Sequence, residues 1–257
     1  MYFETHAHYD FKNFDENREN LLNSLLPNAD IEYIINVGID MQSSIKNVSL
    51  SEKYDYIYAA IGFHPVDSYL MNDSDIEKLF ELSKSRKVVA IGEIGLDFYH
   101  KTTEKKVQIK RFNQLLELAK LASKPVIIHS RDSDEEVYKI LLDSKIGKEE
   151  GGVLHCFSGD VELAKKYIDL GFYIGIGGIV TYKNAKLLQK TVEEIPTERI
   201  LIETDSPFLS PVPNRGKTND SRNLYYIVEK ISQLKGKTHE FIAKSTLENA
   251  KKLFKIS

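Results

Sequence analysis

The 257 residues match the length at which one (β/α)8 barrel closes, and 42% hydrophobic with 28% charged residues excludes a disordered or fibrous chain. A formal net charge of −3 excludes a globally cationic surface, so polyanion binding requires a local cationic site or bound metal. The single cysteine, Cys156, excludes an internal disulfide, and the longest uncharged apolar stretch, 172–180, is about half of a membrane span.

Short apolar runs at 2–4, 33–37, 56–61, 88–91, 126–128, 152–154, 172–176 and 200–202 predict eight strands. Between them, apolar residues spaced by three and four predict helices at 15–26, 73–85, 110–122, 134–142, 161–170 and 185–194. Parallel strands need helical crossovers and are apolar on both faces, so this alternation predicts an α/β chain, one (β/α)8 barrel spanning 1–257. An open doubly wound sheet is the alternative. It calls for a glycine-rich turn after the first strand, and here that strand runs into Thr5-His6-Ala7-His8. Gly175, Gly177 and Gly178 read as a strand-end turn rather than a phosphate loop. No apolar leader precedes Glu4, so the expectation is a cytoplasmic chain that makes no membrane contact.

Five of the seven histidines fall at the C-terminal ends of predicted strands: His6 and His8, His64, His129 and His155. Glu93 follows the fourth strand and Glu203-Thr204-Asp205 the eighth. In a barrel those ends share the face that carries active sites. Imidazoles and carboxylates together bind divalent ions, and a bound ion lowers the pKa of water and stabilises phosphoryl charge. Each element also has a plainer reading. His6 and His8 suit a hydrogen-bonding surface pair, His129 a structural role, and Asp205 before Ser206-Pro207 a turn cap. His100 and His239 read as solvated surface residues, and Cys156 as a small buried hydrophobe. The conjunction favours a metal-dependent hydrolase, because packing alone would place apolar or small residues at so many strand ends.

In chain order, Glu4-Thr5-His6-Ala7-His8, Gly62-Phe63-His64-Pro65, Gly92-Glu93-Ile94-Gly95-Leu96-Asp97, His129-Ser130-Arg131, His155-Cys156-Phe157-Ser158-Gly159 and Glu203-Thr204-Asp205-Ser206-Pro207-Phe208-Leu209 resemble the signature blocks of the TatD family of metal-dependent deoxyribonucleases. Asn214-Arg215-Gly216-Lys217 and Asn249-Ala250 extend the match over essentially the whole chain. The resemblance implies a barrel of the amidohydrolase-like group that cleaves phosphodiester bonds in DNA through a metal-activated water, often as a 3′ to 5′ exonuclease. It implies two divalent ions, Mg, Mn or Zn: one held by His6, His8, Glu93 and Asp205, the other by Glu93, His129 and His155, with Glu93 bridging. Catalysis would fall to Glu93, Asp205 and His64. Contacts to single-stranded DNA or DNA ends would come from His64, Arg131, Arg215 and Lys217.

This chain departs from the family pattern where Glu4 stands in place of the usual aspartate, and where Thr218-Asn219-Asp220-Ser221 follows the basic loop without the usual proline. Two other functions stay open. One is hydrolysis of a C–N or ester bond, though many such barrels place a carbamylated lysine where this chain has Glu93. The other is a non-catalytic nucleic-acid-binding barrel, against which every proposed ligand position holds a competent residue.

Overall fold

The computed structural model describes residues 1–256. Its eight strands are β1 Tyr2–Ala7, β2 Ile31–Val37, β3 Ile57–Ile61, β4 Val88–Asp97, β5 Val126–Arg131, β6 Gly152–Leu154, β7 Tyr173–Ile176 and β8 Ile200–Ile202. They form one sheet in the order β1 to β8, and the paired strands run parallel. A parallel bridge from Ala7 to Ser206 joins β1 to the segment after β8, as a (β/α)8 barrel requires. The fold class is the one the alternation of runs predicts.

The helices are α1 Arg18–Asn20, α2 Met41–Lys53, α3 Asp73–Ser83, α4 Lys105–Leu121, α5 Asp134–Ser144, α6 Ile146–Glu149, α7 Val161–Asp169, α8 Lys186–Glu194, α9 Leu224–Lys235 and α10 His239–Phe254. The helix expected over 15–26 is broken instead. It is a single turn followed by a π turn, Leu21–Leu25, and a 3-10 turn that opens on Pro27. Asn17, Asn20, Asn23 and Ser24 make this segment a weak helix former.

Helix α2 was not expected, because its inward face is made of Ser43, Ser44, Asn47, Val48 and Ser51 and carries almost no hydrophobic period. Its start is fixed by a reciprocal cap in which the Ser43 N–H donates to Asp40 Oδ1 at 2.7 Å. The inner face is small where the backbone comes close: the Gly62 N–H donates to Ser44 Oγ at 3.2 Å. No helix among the described residues is long and apolar enough to cross a membrane.

The chain divides into two compact units. One comprises Met1–Asn36, Cys156–Ile168 and Tyr173–Ser257, and its core gathers β1, β7, β8 and the inner faces of α9 and α10 around Phe3, Ile174, Leu201, Ile227 and Ile242. The other comprises Val37–His155 and Asp169–Phe172, with Ala59, Ile61, Ile91, Ile94, Leu115 and Ile127 fully or nearly fully buried around β3 to β6. Strands β1, β4 and β5 run further than their apolar runs predict, because they continue through polar residues that are themselves sheltered: His6, Glu93, Asp97 and His129. His6, Glu93 and His129 therefore sit inside strands rather than after them.

Candidate metal centre

In the first unit, His6 lies in β1, His8 follows one residue past its end, and Asp205 lies three residues past β8. Alternation along the extended chain puts His6 and His8 on one side. Backbone pairing brings Asp205 to them: its N–H donates to the His6 carbonyl at 2.9 Å, and the His8 N–H to the Ser206 carbonyl at 2.8 Å. His6 Nε2 and His8 Nε2 are 3.2 Å apart, and Asp205 Oδ1 lies 3.8 and 3.5 Å from them.

Bonds of about 2.0–2.2 Å to a divalent ion separate neighbouring donor atoms by about 2.9–3.5 Å. The triangle of His6, His8 and Asp205 is close to those edges, and three acceptor-bearing atoms so near one another are stabilised by a cation among them. The residues present fit a metal. Glu203 also offers a carboxylate oxygen within 4.8 Å of a ring nitrogen of His6, and its Oε1 accepts the Cys156 N–H. Cys156 is half-buried, with a left-handed φ of 48°, and enters the cluster through its backbone rather than as the buried hydrophobe expected.

Glu4, fully buried in β1, supports this cluster from behind. Its Oε1 accepts the Thr204 N–H at 2.8 Å and the His6 N–H at 3.2 Å, and its Oε2 accepts the Thr204 hydroxyl at 2.7 Å. Burial pushes its carboxyl up to about 8, against the pull of these donors. The longer glutamate thus braces the backbone at the residue before Asp205. The Ser221 side chain bonds to the same carboxyl.

In the second unit, Glu93 Oε1 is the common partner of three imidazoles: His129 Nδ1 at 2.8 Å, His155 Nε2 at 3.2 Å and His64 Nε2 at 3.6 Å. Burial works to raise the Glu93 carboxyl, but His155, His64 and the bonds from His129 and His155 outweigh it and hold it well below the usual range. Gly95 lets β4 approach β5 here: a Cβ on it would lie 2.0 Å from the His129 carbonyl oxygen, and its φ is 144°.

Two residues up the same strand, Asp97 is buried, and its Oδ2 lies 3.1 Å from His129 Nε2 and 2.9 Å from His100 Nδ1. Gln108 fixes the Asp97 backbone, its Oε1 accepting the Asp97 N–H at 2.8 Å and its Nε2 donating to the Asp97 carbonyl at 2.8 Å. Asp97 is the residue that the apolar-run reading missed. Strand periodicity was its signal, since Glu93, Gly95 and Asp97 share one side of β4. His100 is half-exposed, as expected, but is tied to this carboxylate.

His129 touches a carboxylate at each ring nitrogen. Burial acts to lower its pKa, and the bonds to Asp97 and Glu93 raise it beyond that. Donation of Nε2–H to Asp97 would leave Nδ1 to bind an ion in place of its bond to Glu93, the arrangement that orients a metal-ligating histidine. His64 is different. Its Nδ1 accepts the Val66 N–H at 3.2 Å, so the neutral ring carries its proton on Nε2, the nitrogen turned toward Glu93 and His129. Burial lowers its pKa to about 4, so the ring is neutral, and one ring nitrogen of His64 lies within 4.8 Å of ligand atoms of Glu93 and His129.

The expected substrate contacts are exposed cations held on aromatic faces or turns. Arg131 ends β5 two residues beyond His129, with its guanidinium 4.1 Å from the Tyr99 ring centre, and Arg215 stands 4.4 Å over Tyr182. Lys217 Nζ lies 3.5 Å from Asn214 Oδ1. His239 is not the solvated residue expected. Its Nε2 lies 2.7 Å from the Tyr2 hydroxyl, its Nδ1 3.2 Å from Glu229, and it packs on Tyr225 at the start of α10.

A family model described as TatD related DNase matches residues 3–255. The uncharacterized metal-dependent hydrolase YabD of Bacillus subtilis is 44% identical over 258 residues, covering all of both chains. YcfH of Escherichia coli K12, named in the same way, is 36% identical over 98% of this chain and 95% of its own. The crystal structure of YjjV, a TatD homologue from Escherichia coli K12, superposes with a TM-score of 0.93 at 30% identity, over 100% of this chain and 98% of that one. The sheet order, the two histidine–carboxylate clusters and full-length similarity agree, and the chain belongs to the TatD-related family of metal-dependent hydrolases.

Proposed function

We propose that this hydrolase cleaves phosphodiester bonds in DNA, acting on single strands or on ends in the manner of a 3′ to 5′ exonuclease. The observation that carries the reading is the His6, His8 and Asp205 triangle, whose donor atoms lie 3.2–3.8 Å apart. In this reading those residues hold one divalent ion, and Glu93, His129 and His155 hold another, with Glu93 serving both as the sequence resemblance implies. Bound divalent ions supply an activated water near neutral pH and neutralise charge on the phosphoryl oxygens.

The chain's own residues do the rest. Asp205, partly exposed, accepts the proton of the attacking water. His64, neutral and with its proton on Nε2, donates to a phosphoryl oxygen as negative charge develops there. Arg131 and Arg215, each laid on an aromatic ring, present planar forks suited to phosphate oxygens. A net charge of −3 leaves no general attraction for DNA, so these local cations and the ions must provide it.

The test is cleavage of end-labelled single-stranded DNA by the purified protein. Chelator is expected to abolish it, and Mg²⁺ or Mn²⁺ to restore it, with nucleotides released from one end. Cleavage indifferent to chelator, or full hydrolysis of cyclic amides with none of DNA, overturns the reading.

A further inference from the structure

Phe11 and Phe208 each hang from a member of the His6, His8 and Asp205 cluster. The Phe11 N–H donates to the His8 carbonyl at 3.1 Å, and the Phe208 N–H to the Asp205 carbonyl at 2.8 Å. The Phe11 ring lies nearly parallel to the His8 imidazole, with centroids 4.8 Å apart and planes at 22°. The Phe208 ring meets Phe11 edge-on at 5.9 Å. Two aromatic rings thus continue outward from a proposed metal ligand.

Phe208 is nevertheless 48% exposed. Loop slack does not account for this. The buried Asn219 donates from its backbone to the Pro207 carbonyl at 3.0 Å, and from Nδ2 to the carbonyls of Phe208 at 2.6 Å and Thr204 at 2.9 Å. The backbone is pinned on both sides of the ring. A large apolar side chain held rigidly in water does little for folding, and its value lies in what it meets from outside.

We infer that Phe208 and Phe11 form a stacking platform for a nucleobase whose phosphate is held at the adjoining His6, His8 and Asp205 cluster; this rests on the nucleic-acid reading above. A nucleotide has both halves such a site complements, an anion for the divalent ion that His6, His8 and Asp205 would hold and a flat π face for the rings. A purely apolar ligand would leave the cluster unmatched, and inorganic phosphate would leave the rings in water. Stacking of this kind is tolerant of base identity, so the site would favour nucleotides over other phosphate esters without selecting among bases.

The test compares binding of dAMP and of deoxyribose 5-phosphate to the Mn²⁺-loaded full chain by calorimetry. The parent should prefer dAMP. Phe208→Leu, apolar but without a π face, should lose about tenfold of that preference, and Phe208→Trp should keep it. Equal preference in parent and Phe208→Leu overturns the platform, as does loss of preference in Phe208→Trp with its melting temperature unchanged. A parent that binds both compounds equally removes this inference alone. A parent that binds neither and cleaves no DNA removes the nucleic-acid reading together with it.

Discussion

Asp97 Oδ2 stands 3.1 Å from His129 Nε2, and His129 Nδ1 stands 2.8 Å from Glu93 Oε1, so one imidazole is held between two carboxylates on the same strand. The outer carboxylate decides which ring nitrogen carries the proton and hence which is left to bind an ion. Replacing Asp97 by alanine should weaken metal binding about 10–100-fold with a smaller effect on unfolding in chelator. Titration of the metal-free protein with Mn²⁺ checks this. Unchanged affinity would show that His129 needs no such partner.

His64 should behave differently from His129. Because its Nδ1 accepts the Val66 N–H, His64→Ala is expected to lower kcat by about 100-fold at full metal content, as for loss of one transition-state donor. Metal analysis beside single-turnover kinetics separates the two, and loss of an ion would place His64 among the ligands.

The two clusters should lose metal separately. His8→Ala and His155→Ala are each expected to bind one ion fewer than the parent, whereas Glu93→Gln, if Glu93 serves both clusters, should lower occupancy of both. Elemental analysis after dialysis against a fixed Mn²⁺ concentration reads this directly.

Glu4 makes a pH prediction for the metal-free protein. Its carboxyl titrates at about 8 in the folded chain, against 4.5 ordinarily, so the folded state holds the proton more tightly than the unfolded state. Its contribution is present in full below pH 4.5 and is lost as pH rises through 8, a difference on the order of 5 kcal/mol. Urea unfolding in chelator should show this decline in the parent, and Glu4→Gln should flatten it. Identical pH curves would refute the assignment.

Asn219 should matter for both stability and turnover. Its side-chain amide satisfies the carbonyls on either side of the turn that carries Asp205, so Asn219→Ala leaves two sheltered acceptors unmatched and should cost about 1–3 kcal/mol. A denaturation midpoint equal to the parent's would count against this role.

All eight strands and the residue types of both clusters were legible in the sequence. Apolar runs bounded by polar, ligand-type residues mark strands that end at a site, and the histidines and carboxylates stand at those boundaries. The boundaries themselves were misplaced at β1, β4 and β5. A hydrophobicity rule stops at the first charged residue, while a metal site continues the strand through buried histidines and carboxylates. Helix α2 was invisible for the related reason that its buried face is serine and asparagine. His239 was misjudged because its partners, Tyr2 and Glu229, are 237 and 10 positions away, and no local pattern reports a hydrogen bond of that span.

By itself, the order of residues determined the alternation of strand and helix, the barrel class and the set of groups able to hold metal, since periodicity and side-chain chemistry are local properties. Only the tertiary structure decided that Asp97 backs His129, that Glu4 braces Thr204, and that Phe208 is held in solvent. Each of those depends on distances of about 3 Å between atoms far apart in the chain, and such distances exist only after the backbone has closed.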